Sequence, residues 1–196
     1  MKFVRSEFSH YLPRLHRAFY QADAVVLWTM PMANRAAGWL DDQFHAAFRE
    51  MMLHAAMREG LLCPAYCLMP DHIHLVWMGL RPESDQRNGM KFLRAHLSRH
   101  LRGYAFQRQA HDRVFRRSER HSTGIAAGCS EYVLLNPVRG GLVSESKAWP
   151  YLGAIVPGYP RLNPLDPGYW EWFWERYHSV LDPKVLDRVV PPRSME

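Results

Sequence analysis

Two short apolar runs, AYCLM and HIHLVWM, stand next to each other in the chain and are separated only by Pro70 and Asp71. Runs of this length, rich in bulky apolar side chains, predict buried strands. Proline followed by aspartate is a turn signal. The pair therefore predicts a hairpin inside a buried sheet, and the rest of the chain has to supply the elements that cover it.

A series of strands and helices is predicted on either side of this hairpin. The run AVVLWTM (24–30) predicts a buried strand. The stretch that follows has apolar residues at helical spacing, with Asp41 or Asp42 placed to cap its start and Gly60 to end it. After the hairpin the chain predicts a polar loop, a second helix, a short strand and a third helix, in the segments RPESDQRNG, MKFLRAHLSRHLRGYAF, DRVFR and GIAAGCSEYVLLN.

The order strand, helix, strand, strand, helix, strand matches the split βαβ pattern. We therefore expect an α+β fold, a ferredoxin-like antiparallel sheet with helices on one face. The composition changes after Pro150, where proline, tryptophan and tyrosine become frequent. We expect one domain over residues 1–155 and a C-terminal extension over 156–196, made of a linker and a short aromatic helix at Tyr169–Leu181.

The charge and composition limit the class of protein. A net charge of +6 and a pI of about 9.4 favour a polyanionic partner such as a nucleic acid. There are only three cysteines, which is few for this length and an odd number, so a disulfide framework is not expected. No apolar run is long enough to span a bilayer, and the N-terminus lacks a continuous apolar signal region. We expect a soluble cytoplasmic protein with no membrane partner.

Two histidines, His72 and His74, lie one residue apart in the second apolar run. Side chains alternate along a strand, so both imidazoles project to the same side. Two imidazoles placed in this way can bind one divalent ion, and Asp71 beside them is a candidate carboxylate partner. With 11 histidines in 196 residues, however, chance alone supplies roughly 0.6 such pairs. The metal hypothesis therefore needs a further ligand from elsewhere in the chain.

The segment EYVLLNPVRGGLV (131–143) supplies candidate partners for the two histidines. Tyr132 and Asn136 are four residues apart on the predicted third helix, so their side chains share one face. Pro137 is expected to end that helix near Asn136. In this arrangement the histidines and the Asn136 oxygen would hold an ion, and Tyr132 would be the nucleophile.

Three segments together resemble a known family. MPDHIHLVW is similar to the histidine–hydrophobe–histidine motif of the HUH endonucleases. EYVLLNPVRGGLV resembles the tyrosine helix of the single-tyrosine transposases, in particular the REP-associated tyrosine transposases. Between them, FQRQAHDRVFR resembles a strand of the same family, and the order and spacing match over about residues 24–151. The departures from the family pattern are Phe106, Gln109, Ala110 and Gly140.

The resemblance implies an enzyme that cleaves single-stranded DNA at palindromic hairpins and transfers the strand. It implies a covalent 5′-phosphotyrosine intermediate on Tyr132 and a cofactor, Mg²⁺ or Mn²⁺, held by His72, His74 and Asn136. Imidazole and carboxamide are neutral ligands, which leaves the full charge of the cation for the phosphate.

Further residues are expected to support this chemistry. Asp71 and His111 are candidates for an outer ligand partner or for the base that accepts the phenol proton. The expected phosphate contacts are Lys91, Arg94, Arg113, Arg116, Arg117 and Arg139. Three tryptophans could stack on unpaired bases or pack on the domain, namely Trp170, Trp172 and Trp174. The protein is expected to associate with the nucleoid, as a monomer or homodimer.

Two alternatives stay open at the level of sequence. Cys63, Cys67, His72 and His74 could form a structural zinc site in a nucleic-acid-binding module. On a regular strand, however, Cys63 and Cys67 would stand about 13 Å apart, so a bend would have to bring them together. The other alternative is a domesticated protein that binds hairpin DNA without cutting it.

Overall fold

The computed structural model describes residues 14–115 and 123–186, in which five strands form one antiparallel sheet. The strands are β1 (Val25–Pro31), β2 (Leu61–Met69), β3 (His72–Gly79), β4 (His111–Val114) and β5 (Leu152–Ile155). Their spatial order is β4-β1-β3-β2-β5. The first four strands have the ferredoxin-like arrangement, with β3 between β1 and β2. The predicted α+β class and antiparallel sheet are confirmed.

The helices are α1 (Asp42–Glu59), α2 (Gln86–Leu97), α3 (Thr123–Leu134), α4 (Asn136–Arg139), α5 (Tyr169–Val180) and α6 (Pro183–Leu186). Helix α1 has the predicted ends. The Asp41 carboxylate accepts a hydrogen bond from the backbone N–H of Phe44 at 2.7 Å, and Gly60 adopts a left-handed conformation with φ 61°. No helix among the described residues is long and apolar enough to cross a membrane.

Helix α2 differs from the prediction at both ends. It begins at Gln86, inside the segment predicted to be a loop, because the Asp85 carboxylate accepts hydrogen bonds from the backbone N–H groups of Arg87 and Asn88. It ends at Leu97, after which a 3-10 turn follows over Ser98–His100.

The tyrosine-bearing helix also ends differently from the prediction. Helix α3 stops at Leu134, and the short helix α4 begins at Asn136, where we had expected the helical path to end. Pro137 lies in the first turn of α4. Backbone N–H groups in the first turn of a helix make no hydrogen bond within the helix, so proline, which has no N–H, is tolerated there.

Helices cover both faces of the sheet, so the expectation of helices on one face was wrong. One apolar core lies between the sheet and α1 with α2, and it contains Trp28, Tyr66 and Trp77. A second core lies on the opposite side, and it contains Val133 of α3 and Phe173 of α5. The physical reason is that β2 is buried along its whole length and β3 along nearly all of it, so both of their faces need cover. We call these sides the α1/α2 face and the α3/α5 face.

The C-terminal aromatic helix packs on the α3/α5 face. Tyr169, Phe173 and Tyr177 form its buried side. The Tyr169 hydroxyl donates to the backbone oxygen of Pro64 at 2.6 Å, and the Tyr177 hydroxyl to that of Gly79 at 3.3 Å. The three tryptophans of this helix are half-buried against the same core. These contacts attach the extension to the sheet, while the division into residues 1–155 and 156–196 stays a prediction.

Candidate active site

The register of the central strands places both histidines on the α3/α5 face. His72 is opposite Met69 and His74 is opposite Cys67 in the β2–β3 ladder, and both of these partners belong to the core on that face. The two imidazole ring centroids are 4.6 Å apart, with the ring planes at 82°. The shared face that strand alternation predicted is therefore present.

Each imidazole is held through its Nδ1 atom. His72 Nδ1 lies 2.6 Å from Asp71 Oδ1, and the other Asp71 oxygen accepts from Arg35 at 3.0 Å. His74 Nδ1 lies 2.9 Å from the hydroxyl of Thr29 on β1. With the proton on Nδ1, each ring donates to its oxygen partner and keeps a lone pair on Nε2. Carboxylate or hydroxyl partners of this kind orient metal-binding histidines.

The electrostatics of the pair favour a neutral imidazole at His74. Burial, with the neighbouring His72 as a smaller contribution, lowers the pKa of His74 to about 4. At neutral pH this ring is uncharged, which is the form that binds metal ions. Burial works to raise the pKa of Asp71, but the hydrogen bonds and charges of His72 and Arg35 outweigh it and leave that pKa below its ordinary value. Asp71 is therefore an ionised acceptor for His72.

Tyr132 of α3 lies against the histidines. Its ring centroid is 5.9 Å from that of His74, and the side chain is 41% exposed. The Arg139 guanidinium lies over the Tyr132 ring at 4.9 Å. Tyr132, His74, Thr29 and Arg113 border one cleft of about 500 Å³, which we call the active-site cleft. This part of the surface therefore presents a phenol, an imidazole and two guanidinium groups close together.

Asn136 is fixed one turn after Tyr132. Its side-chain nitrogen donates to the backbone oxygens of Tyr132 at 2.8 Å and Val133 at 3.3 Å. This uses the amide nitrogen to satisfy the end of α3 and leaves Oδ1 available as an acceptor. Two imidazole nitrogens and this oxygen are a donor set that fits Mg²⁺ or Mn²⁺. The role of Asn136 as a ligand stays a prediction.

The structure does not assemble the alternative zinc site. Among the described residues, no cluster of three or more His, Cys, Asp or Glu side chains is placed to hold a metal ion. The β2–β3 register shifts between Leu62 and Ala65, which reverses the side-chain alternation there. Cys63 therefore lies in the core of the α1/α2 face and Cys67 in the core of the α3/α5 face. The zinc hypothesis needed a bend in β2 to bring the two thiols together. The irregularity that β2 has at this point places them on opposite faces of the sheet instead.

The remaining predicted residues lie in different parts of the structure. Arg113 borders the active-site cleft, and Arg139 contacts Tyr132. His111 is exposed on the α3/α5 face, and Thr29 lies between it and His74 in the sheet, which puts the two histidine Cα atoms about 10 Å apart. Two further cations, Lys91 and Arg94, border a different cleft on the α1/α2 face. Arg116 and Arg117 lie outside the described residues.

Thr29 and Arg35 were missed by the sequence analysis. Thr29 belongs to no motif, and only the β1–β3 register, in which it is opposite His74, brings its hydroxyl to the imidazole. Arg35 contacts Asp71 from a 3-10 turn with an unusual backbone, in which Asn34 and Arg35 have φ of 54° and 51°. Positive φ at two consecutive residues other than glycine is a signal of a constrained functional turn, but it is visible only in coordinates.

Comparisons with known proteins support the fold and point to one family. A protein of Haemophilus influenzae that provisionally carries the name REP-associated tyrosine transposase is 25% identical over 151 residues, which cover 69% of this chain and 82% of that protein. The solved structure of a REP-associated tyrosine transposase bound to a REP hairpin has the same fold, with a TM-score of 0.59 and 18% identity, over 74% of this chain and 82% of that one. The chain is similar to the REP-associated tyrosine transposases. No protein-family model matches it.

Proposed function

We propose that the protein is a metal-dependent single-stranded DNA endonuclease and strand transferase that acts on palindromic hairpins through a phosphotyrosine on Tyr132. The observation that carries the proposal is that His74 and Tyr132 border one cleft with their ring centroids 5.9 Å apart, while the ring of His72 lies 4.6 Å from that of His74. The similar protein that carries the transposase name and the hairpin-bound structural neighbour support a DNA-processing role.

The Tyr132 hydroxyl is the nucleophile in this proposal. Its oxygen attacks the phosphorus, forms a phosphorus–oxygen bond and displaces the 3′ oxygen, which leaves with a proton as a free 3′-OH. The 5′ end of the DNA stays on the tyrosine. The 3′-OH of another strand reverses the step, takes the phosphate and restores the tyrosine. The exchange conserves the number of phosphodiester bonds, so it needs no external energy source.

The arginines around Tyr132 assist the attack. The Arg139 guanidinium, which lies over the Tyr132 ring at 4.9 Å, is placed to attract the phosphate toward the phenol. Arg113 on the other wall of the cleft is placed to attract the phosphate. Neither arginine can act as the base, because a guanidinium stays protonated. In this proposal the phenol proton passes to a water molecule.

His72, His74 and Asn136 would hold Mg²⁺ or Mn²⁺. When bound, the cation neutralises a phosphate oxygen and makes the phosphorus more electrophilic. Residues of this chain orient the ligands: Asp71 and Thr29 fix the two imidazole rings, and the hydrogen bonds of the Asn136 side-chain nitrogen fix its amide and leave the oxygen available.

The partner we propose is a DNA hairpin with a flanking single strand, bound by a monomer or homodimer in the cytoplasm, where the chromosome is accessible. The net charge of +6 gives the affinity an electrostatic contribution that falls with salt.

The first test is covalent capture of DNA. Purified protein is incubated with 3′-end-labelled hairpins copied from palindromes that flank the gene, in Mn²⁺ and in EDTA, and the mixture is then denatured and run on a gel. We expect a labelled adduct with Mn²⁺ that EDTA prevents. Tyr132→Phe should remove the adduct and lower cleavage by on the order of 10⁴-fold, because only the nucleophilic oxygen is lost.

The matched control is Tyr159→Phe, which removes a hydroxyl from another exposed tyrosine and should leave the adduct unchanged. Absence of an adduct with the wild-type protein across a broad set of hairpins, combined with tight binding of the same DNA, would contradict the nuclease and establish a binding-only protein.

A further inference from the structure

A second cleft, of about 550 Å³, lies on the α1/α2 face and is strongly basic. We call it the basic cleft. Six cationic side chains line it: Arg14, Arg17, Arg87, Lys91, Arg94 and Arg108. Among the described residues, no carboxylate and no aromatic ring lines its walls. This composition differs from that of the active-site cleft, which contains the imidazole and the phenol.

The charges of the basic cleft are only partly compensated. Arg17 forms an ion pair with Asp85 at 2.7 Å, and Arg14 forms one with Asp112 at 3.3 Å. Neither carboxylate lines the cleft. Among the described residues, no carboxylate lies within ion-pair distance of Arg87, Lys91 or Arg94, so the cavity keeps an excess of positive charge. Like charges this close destabilise one another unless an anion is bound between them.

Arg94 shows the strain of this arrangement most clearly. Its Nη2 donates to the backbone oxygen of Gln107, while its Nη1 is buried and has no hydrogen-bond partner among the described residues. Burial, and then the charge of Arg14, lower the pKa of Arg94 below its ordinary value. A buried guanidinium N–H without an acceptor is costly, and a phosphate oxygen is the acceptor that matches it best.

The basic cleft is separated from the active-site cleft by the edge of the sheet. Arg14 reaches the α1/α2 face, where it lies over the Trp28 ring at 5.2 Å and pairs with Asp112 of β4. The next residue of β4, Arg113, points to the opposite face and borders the active-site cleft. Because β4 is the outermost strand, a chain that leaves one cleft can reach the other around a single strand.

We infer that the basic cleft is a second phosphate-binding site, which holds the sugar–phosphate backbone of the hairpin stem while the adjoining single strand passes around β4 to Tyr132. The inference rests on the proposed function and adds where the partner binds. A stem is favoured over an unpaired strand because proteins that hold single strands offer aromatic rings for stacking, and the walls of this cleft have none.

The test measures binding without catalysis. Fluorescence anisotropy in EDTA, on the Tyr132→Phe background, gives the Kd of a fluorescein-labelled hairpin of roughly ten base pairs at several salt concentrations. Arg87 and Lys91 are both exposed on α2 and are changed together to Gln. We expect Kd to rise about tenfold at low salt, and the slope of log K against log salt to become less steep by about 1.8, since two phosphate contacts are lost.

The matched control removes two exposed cations elsewhere, Arg161→Gln with Lys184→Gln. A site-specific role predicts a much smaller change in this control, and circular dichroism melting checks that both variants fold. Equal changes in the two variants would overturn the inference, because only net charge would then matter. An equal loss of affinity for a strand of the same length and base composition, scrambled so that it cannot pair with itself, would overturn the assignment to the stem. Neither outcome depends on cleavage, so failure of the nuclease proposal is detected separately.

Discussion

The two faces of the sheet differ in what they place at the surface. On the α3/α5 face, His74 and Tyr132 border a cleft with His72 beside His74, and Asp71 and Thr29 orient the two imidazoles. On the α1/α2 face, the basic cleft has positive charge but none of these groups. Reactive groups and excess positive charge are therefore on opposite faces of one sheet.

Such a separation has a functional consequence. Groups that act only in the transition state change the rate, whereas contacts made equally to the bound DNA change the affinity. Variants on the α3/α5 face should therefore affect cleavage, and variants on the α1/α2 face should affect binding and its salt dependence. Three further substitutions test this comparison, in order of decreasing effect.

The largest of these effects is expected for His74→Ala, which removes a buried imidazole from the cleft. We expect cleavage to fall by on the order of 10³-fold, because several kcal/mol of charge stabilisation at the phosphate is lost. The Kd for the hairpin should change by less than about twofold. Single-turnover cleavage and anisotropy measure the two quantities. His178→Ala, on the exposed side of α5, is the control. A large loss of hairpin affinity in His74→Ala would contradict the claim that the α3/α5 face contributes to cleavage and not to binding.

A smaller effect is expected for Thr29→Val, which keeps the shape of the side chain and removes the hydroxyl that contacts His74 Nδ1. We expect Mn²⁺ affinity to fall about 10–100-fold, since the imidazole loses its orienting partner. Titration calorimetry with Mn²⁺ measures this without any DNA. Thr29→Ser retains the hydroxyl and should restore the affinity. Unchanged Mn²⁺ binding in Thr29→Val would show that Thr29 has no positioning role.

The smallest effect is expected for Asp85→Asn, which keeps the cap of α2 and removes the charge that pairs with Arg17. Burial opposes the ionised form, but hydrogen bonds from Arg17, Asn88 and Gln21 hold the pKa of Asp85 below its ordinary value. A lowered folded-state pKa stabilises the protein above the unfolded pKa of about 3.9, and this contribution disappears as pH falls through the folded value.

We therefore expect Asp85→Asn to lower the free energy of unfolding by about 1–2 kcal/mol at pH 6, with no difference from wild type below the folded pKa. Urea unfolding at a series of pH values measures this. A difference that persisted undiminished into strong acid would contradict the assigned ion pair. The variant also probes the wall of the basic cleft, because Asp85 anchors Arg17 there.

Much of the fold could be predicted because its signals are local. The Asp41 cap and Gly60 fixed the ends of α1, and strand alternation put the two histidines on one face. The start of α2 was missed because its first turn is polar, although Asp85 followed by helix-compatible residues was a readable cap. The reversal of alternation at the β2 bulge was not predictable from periodicity, which assumes a regular strand.

The candidate site was predictable to the extent that its residues belong to motifs. Tyr132 and Asn136 share a helical face by spacing alone, and the structure places Tyr132 beside His74. Thr29 was not predictable, because a single threonine in a strand has no pattern and its role depends on register. The basic cleft was not predictable either, since its cations come from separate segments that only the tertiary fold brings together.

The most direct measurement of the central claim is to locate the covalent bond. The denatured adduct with hairpin DNA is digested with nuclease and protease, and the modified peptide is sequenced by mass spectrometry. We predict a 5′-nucleotide phosphate on Tyr132, in the peptide that also contains Asn136, and on no other residue. A phosphate found on a different tyrosine, or cleaved DNA with no modified peptide at all, would contradict the site.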